Sequence, residues 1–547
     1  MNEIKSADLL DGNYKNPILS TDYSDPDVIR CGEDFYMTAS SFTDTPGLPI
    51  LHSKDLVNWK VINYCLDNLP DESYFTPRFG CGVWAPAIRF HDGMFYVCFP
   101  MPDEGIYMTR AKDPREKWSE PVCILKKKGF IDPCPFWDED GKAYLVYASA
   151  KSRRFINNEL YISEMAPDGL SLKNEKVTVY KGEDFGHITT EGPKLYKRNG
   201  YYYIFAPAGG VKSGYQLAMR SENIYGPYEV RKVLEEKDTG VNGPHQGAWV
   251  DTLRGEDWFI HFQDVYAGGR IIHLEPMKWV QDWPVIGDEG KPVSVCKKPL
   301  SLKDTYPHYP DNTDYFIDGK INKAWQWSMN HEKDYIFPLE DSPGIGVRCL
   351  NDNFIDFHAM GQKNVLLQKW PSLEFKVDFF LDISNTEEDE FSGVMLYGIK
   401  AVSLAFTKIK GQFMFTLLNE DLSFDKEKVK IFSIPTGYKE FKGNPKDFKV
   451  TLKIRKNGYL EGYKLPKDLS PVVYEKFIKS MPEILPNAPR FLCEIYIDDE
   501  KISEAEPKAG RWTGSKVGVF AFKRYKHPHE GFLVLRKAVF EKITDND

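Results

Sequence analysis

Three acidic residues recur at related points of an internal repeat: Asp25, Asp132 and Glu191. They stand in Ser24-Asp25-Pro26-Asp27, Ile131-Asp132-Pro133-Cys134 and Thr190-Glu191-Gly192-Pro193. A carboxylate before Pro or Gly is commonly a solvated turn residue. Here each acid is set against apolar or Pro-stiffened neighbours instead, which solvated turns rarely show. Two carboxylates flanking one bond can hydrolyse a glycoside. One stays protonated and gives its proton to the leaving oxygen, while the other stays ionised and activates water. A third carboxylate close to the acid raises the acid's pKa, because like charges held close together resist ionising together. No Gly-x-Ser-x-Gly elbow, His-Glu-x-x-His helix, phosphate-binding loop or dinucleotide fingerprint is present to support other chemistries.

The elements that must position these acids are written in the repeat itself. A turn followed by alternating large residues occurs five times, from Gly32, His91, Asp140, Asn199 and Gly255. Each copy is a hairpin signal. Asp25, Trp84, Asp132, Glu191 and His245 precede Phe35, Phe95, Tyr144, Tyr202 and Trp258 by 10, 11, 12, 11 and 13 residues. Each of the five opens a short apolar strand, so equivalent repeats would make these five residues equivalent in space. The aromatic landmarks recur every 49 to 60 residues, with several short strands per unit. That pattern predicts a β-propeller. The first residues of its innermost strands ring one end of a central funnel, which would bring Asp25, Asp132 and Glu191 together.

At 547 residues the chain is too long for one core. The repeats end near residue 295, and a Pro-rich stretch, Lys297 to Asp314, reads as an extended, semi-rigid linker. Beyond it, period-two strands such as 364–370, 373–380, 393–398, 411–417, 448–454 and 516–522 predict a β-sandwich. The expected division is residues 1–300 for the propeller, 301–318 for the linker and 319–547 for the sandwich. The expected class is all-β.

Aromatic residues make up 14% of the chain, and the net charge is −9 with no basic stripe. Nucleic acid and anionic membrane are therefore not expected partners. The first twenty residues hold no apolar segment, and no stretch reaches the length of a membrane span. Nine scattered cysteines without a Cys-x-x-Cys pair indicate neither a disulfide framework nor a zinc cluster. Reduced thiols and a cytoplasmic location are expected. Cys134, two residues after Asp132, reads as a packing residue and not a nucleophile.

The motifs closely resemble glycoside hydrolase family 43. The residues that carry the resemblance are Asn16-Pro17-Ile18-Leu19 through Ser24-Asp25-Pro26-Asp27, Gly82-Val83-Trp84-Ala85-Pro86-Ala87, Ile131-Asp132-Pro133 and Thr190-Glu191-Gly192-Pro193-Lys194. Tyr36-Met37-Thr38-Ala39-Ser40-Ser41-Phe42 and His52-Ser53-Lys54-Asp55-Leu56-Val57-Asn58-Trp59 add to it. The resemblance covers the propeller and extends to the concanavalin A-like sandwich of β-xylosidase-type members. It implies a five-bladed propeller and an inverting mechanism, with Asp25 as general base, Glu191 as general acid and Asp132 tuning and orienting Glu191. In an inverting site the base and acid stand ~6.5–9.5 Å apart to admit water.

The resemblance also implies that Arg270 contacts sugar hydroxyls or an acid. It places Phe42 on a loop walling the terminal sugar, and His245 near the propeller axis, where some relatives hold calcium. Trp84 suits the apolar face of a sugar ring, and packing at the axis is its alternative. Trp327, in Ala324-Trp325-Gln326-Trp327, either narrows the pocket or packs between domains. No cofactor is required for catalysis, although a structural calcium is admitted near the axis.

The expected activity is exo-acting release of terminal β-D-xylose, with α-L-arabinofuranose as companion or replacement, from xylo-oligosaccharides or arabinoxylan fragments. The resemblance admits a homo-oligomer. Two rivals stand beside it. A carbohydrate-binding propeller that has lost catalysis would have lost at least one acid, and all three are present. An interaction propeller of the tryptophan–aspartate type would repeat at ~40–45 residues, shorter than the period found.

Overall fold

A computed structural model describes residues 4, 6–300, 305–308, 310–340, 342–351, 358–425, 428–459, 489–525 and 530–544. Residues 27–286 form five four-stranded antiparallel sheets, each ordered as its strands follow in sequence. Their innermost strands are Asp27–Cys31, Ala87–His91, Phe130–Trp137, Lys194–Arg198 and His245–Asp251. This is a five-bladed β-propeller, and its first hairpins are the predicted ones. Gly32, Gly93, Gly141, Gly200 and Gly255 at the hairpin tips all have positive φ, and a Cβ at any of them would meet nothing. Glycine is needed there for backbone conformation and not for space.

Alternate residues of each strand face the neighbouring blade and form apolar wedges. Val28, Phe35 and Met37 of the first blade pack with Ala248, Ile260 and Phe262 of the fifth. Tyr36, Leu48 and Ile50 pack with Ile88, Val97 and Phe99 of the second. Burying one such large side chain stabilises the fold by about 1.5–3 kcal/mol. The ring is closed by the N-terminal segment. Strand Asn13–Lys15 pairs with Val295–Lys297, and the Tyr14 hydroxyl donates to the Leu274 carbonyl at 2.7 Å.

The second domain is two packed sheets. One contains Val365–Lys369, Lys516–Lys523, Glu390–Tyr397, Lys400–Ile409 and Gln412–Asp425; the other is built around Phe375–Asp382, Phe448–Tyr459, Pro489–Ile497 and Phe532–Glu541. Alternating inward residues such as Val377, Phe379, Leu381, Val450 and Leu452 make a dry core. Residues 301–304 and 309 of the expected linker lie outside the described residues. Its later part belongs to the sandwich, because Asp314 pairs with Ala538 and Phe316 is buried in the sandwich core. The sandwich docks on the propeller through main-chain pairing of Thr45 with Trp327 and a buried Lys516–Asp44 ion pair. Among the described residues, no helix is long and apolar enough to cross a membrane.

Candidate active site

Asp25 sits two residues before its innermost strand and Asp132 inside its own, at an interruption of the pairing; both are in left-handed backbone (φ 57° and 55°). Non-glycine residues rarely adopt this conformation, and strain of this kind collects at functional sites. The register slips between Ile131 and Cys134 and again between His245 and Ala248. Such bulges turn a side chain away from the sheet and toward the axis.

The five-fold equivalence expected from hairpin spacing is off by one in part of the ring. In the fourth and fifth blades the positive φ falls on Gly192 (60°) and Gln246 (48°). Asp25 and Asp132 therefore correspond to Gly192 and Gln246, while Glu191 and His245 stand one residue upstream. Pro26, Pro86, Pro133 and Pro193 mark the shared position. Hairpin spacing concealed this, because loop length varies between blades.

Asp25 is buried and densely held. Its Oδ2 accepts from the Ser24 hydroxyl at 2.8 Å and the Ser40 hydroxyl at 2.5 Å, and its Oδ1 accepts from Arg270 Nη1 at 3.1 Å. Arg270 also donates to Ser24 Oγ at 2.6 Å and stacks over Phe262. Both oxygens of Asp25 thus face donors, and the carboxylate is fixed in orientation.

Asp132 is buried, and its Oδ2 accepts from the Gly192 amide at 2.8 Å and Gln246 Nε2 at 3.3 Å. Burial first, then the charges of Glu191 and Asp25, push its pKa up to about 8. Asp132 therefore keeps its proton near neutral pH. The Glu191 side chain is 29% exposed, and its Oε1 lies 3.3 Å from Nε2 of the fully buried His245. Of the two carboxyls, Glu191 is the one that can reach a bound molecule. Gly192 is required here, since a Cβ would lie 2.1 Å from Gln246 Oε1.

A polar girdle beneath the acids joins the inner strands. Asp27 Oδ2 accepts from the Ile88 amide and from Arg89 Nη1, at 2.7 and 2.6 Å. Arg89 reaches Cys134 Sγ at 2.8 Å, and Lys194 Nζ donates to the Pro86 carbonyl at 2.7 Å. Burial pushes the Cys134 thiol's pKa up, which suits a packing residue and not a nucleophile.

The remaining expected residues separate into two groups. Phe42 pairs by main chain with Val83, so its loop lies against the segment bearing Trp84. Arg153 stacks over the Trp84 ring, and Trp512 meets it edge-on at 6.3 Å. Trp512, 40% exposed, comes from a sandwich loop and was not anticipated. Trp327, the residue expected to fill that role, is buried, stacks on His331 at 3.9 Å and donates to Asn364. Its ring packs into the sandwich core, while its main chain pairs with Thr45 of the propeller. Gln246, Ser40 and Arg89 were also missed; Gln246 follows His245 directly, and Ser40 lies in the quoted Thr38–Phe42 motif. A cleft of about 1160 Å³ lies elsewhere, between the first blade's outer strands and the sandwich, and none of the three acids lines it.

His245 does not fit the calcium expectation. Calcium takes six to eight oxygen ligands, whereas His245 offers two ring nitrogens and touches one carboxylate. Among the described residues, His261, His273 and Glu275 gather their ligand atoms within 4.8 Å of one another. They lie on the second and third strands of the fifth blade. His261 faces Glu275 and the Phe262 carbonyl, each at 3.2 Å, and His273 faces Gln263 at 3.1 Å, while His273 Nδ1 is buried with no hydrogen-bond partner among the described residues.

Comparison with known proteins agrees with this geometry. The family model for glycosyl hydrolases family 43 matches residues 14–284. A beta-xylosidase of Formosa agariphila is 35% identical over 373 residues, covering 61% of this chain and 61% of its own length. A xylosidase/arabinosidase of Butyrivibrio fibrisolvens is 30% identical over 411 residues, covering 70% of this chain and 77% of its own. The chain spans about three fifths of the length of the first curated relatives that it matches. The solved xylan beta-1,4-xylosidase of Bacillus halodurans superposes with a TM-score of 0.75 at 20% identity, over 96% of this chain and 100% of that one. At that identity the likeness shows the shared fold.

Proposed function

Because the chain belongs to glycosyl hydrolases family 43, we propose that it is an exo-acting, inverting glycoside hydrolase releasing terminal β-D-xylose from xylo-oligosaccharides. The observation that carries this reading is the contrast between the carboxyls of Asp25 and Glu191. Asp25 is held by a guanidinium and two hydroxyls, while Glu191 is backed by a buried Asp132 that is reluctant to ionise.

Asp25, fixed as an acceptor, draws a proton from a water that attacks the anomeric carbon. Glu191 gives a proton to the leaving oxygen, with His245 beside it and with Asp132 held behind it by the Gly192 and Gln246 contacts. Arg270, bonded to Ser24 and Asp25, presents a planar fork at the same end of the pocket, suited to sugar hydroxyls. Trp84 and Trp512 offer apolar ring faces at the mouth.

A second activity, release of α-L-arabinofuranose, is favoured by the relatives named for both sugars and by an arabinofuranosidase of Bacteroides ovatus at 31% identity. The nine free thiols suit a cytoplasmic enzyme acting on imported fragments. Hydrolysis of 4-nitrophenyl β-D-xylopyranoside against the α-L-arabinofuranoside, with the product anomer followed by proton NMR, tests the reading. Xyloside turnover with inversion is expected. Retention would remove the mechanism, and turnover of the arabinofuranoside alone would transfer the activity to the second sugar.

A further inference from the structure

Asp22 lies three residues before Asp25, is buried, and touches none of the three acids in the contacts described above. Its two carboxylate oxygens serve different domains. Oδ1 accepts the main-chain amide of Arg270 at 2.9 Å, and Oδ2 accepts the main-chain amide of Gly514 at 2.8 Å. Its own carbonyl accepts from Lys369 Nζ of the sandwich at 2.8 Å. Gly514 stands two residues after Trp512, whose ring meets Trp84, and Arg270 is the cation bonded to Asp25.

The chain has been shaped to let these groups meet. Gly269 has φ +80°, and a Cβ there would lie 2.6 Å from Asp22. A Cβ on Gly514 would lie 2.8 Å from the Gly269 Cα, and the next amide, Ser515, donates to Ala267. Trp512 is in left-handed backbone (φ 70°), a conformation that persists only where its surroundings impose it.

We infer that Asp22 is a positioning residue. It couples the sandwich loop that carries Trp512 to the strand start that carries Arg270, so that the sandwich completes the substrate pocket. The inference rests on the proposed glycosidase reading for its kinetic arm only. A carboxylate can accept two amides at once through separate oxygens, whereas an asparagine of the same size offers one oxygen and turns an N–H toward the other amide. The loss of one charge-assisted bond corresponds to about tenfold or more.

The experiment compares wild type, Asp22→Asn, Trp512→Phe and the double variant as full chains labelled with 5-fluorotryptophan. The fluorine resonance missing from Trp512→Phe identifies Trp512. In Asp22→Asn that resonance should shift or broaden while those of buried tryptophans such as Trp370 stay. KM for xylobiose should rise about tenfold with a smaller change in kcat, and the double variant should show less than the sum of the single effects. An unchanged Trp512 resonance, or additive kinetic effects, would overturn the coupling. If wild type cleaves no pentoside, the functional reading fails, and the fluorine spectrum still decides the role of Asp22. If Asp22→Asn does not fold, hydrogen exchange on wild type decides instead. Matched protection of the Gly514 and Arg270 amides supports the link, and free exchange at Gly514 refutes it.

Discussion

Asp132 in the propeller and Glu420 in the sandwich are both buried carboxyls with raised pKa values, near 8 and near 7. Burial is the first cause in each. At Asp132 the next contributions are two further carboxylates on other blades, Glu191 and Asp25. At Glu420 there are only hydrogen-bond donors: the amides of Ala359 and Met360 and the Ser403 hydroxyl. One group is poised against like charge beside an exposed partner, and the other pins a loop. A perturbed acid marks a site of chemistry when its perturbers are charges converging from separate elements, not when it is merely buried and well bonded.

The sharpest break between the two regions is Glu191→Ala. It should lower kcat/KM on xylobiose by about 10²–10⁴-fold and lower it far less on aryl xylosides whose leaving groups need no proton. Equal losses on both substrates would deny Glu191 the acid role. Asp132→Asn comes next, with a loss of about 10²-fold. Removing the like charge lets the site give up its proton more readily, so the basic limb of the pH–rate profile should move to lower pH. A wild-type profile would take Asp132 out of the mechanism.

Trp84→Ala should raise KM by roughly tenfold. Trp327→Ala, by contrast, should leave KM near wild type and cost about 3–5 kcal/mol of stability in urea unfolding. A KM effect from Trp327 would return it to the pocket.

The smallest effect on activity belongs to Glu420→Gln, which should leave kcat/KM within about twofold. Its signature is in stability. The folded protein holds this proton up to about pH 7, whereas the unfolded chain releases it near the ordinary 4.5. The folded state therefore binds the extra proton, and its stabilising contribution is full below pH 4.5 and fades as pH rises toward 7. Wild-type Tm should fall across that window more steeply than the variant's, reflecting a difference in unfolding free energy on the order of 1–3 kcal/mol. Parallel Tm curves would place Glu420's proton elsewhere.

Hairpin tips, the number of blades and the alternation of the sandwich strands were legible because each depends on neighbours a few residues apart. Gly32 or Gly200 signals a turn locally, and Phe375–Asp382 shows its buried face in its own pattern. The acids were legible through their flanks, and the Pro after Asp25 and Asp132 would have given the correct register across blades. Trp327 stayed open between two readings, because two tryptophans opening a domain look the same in sequence whether they face a sugar or pack against protein.

By itself the sequence determined five hairpin repeats, a second β domain and three carboxyls carried to one end of a ring. Only the tertiary structure decided which groups surround them. Asp22 meets Gly514 across 492 residues, Arg270 meets Asp25 across 245, and Gln246 meets Asp132 across 114. Contacts of that span leave no periodic trace in the chain. They are fixed by how the blades close and how the sandwich docks, and those close approaches set the burial and the neighbouring charges of each acid.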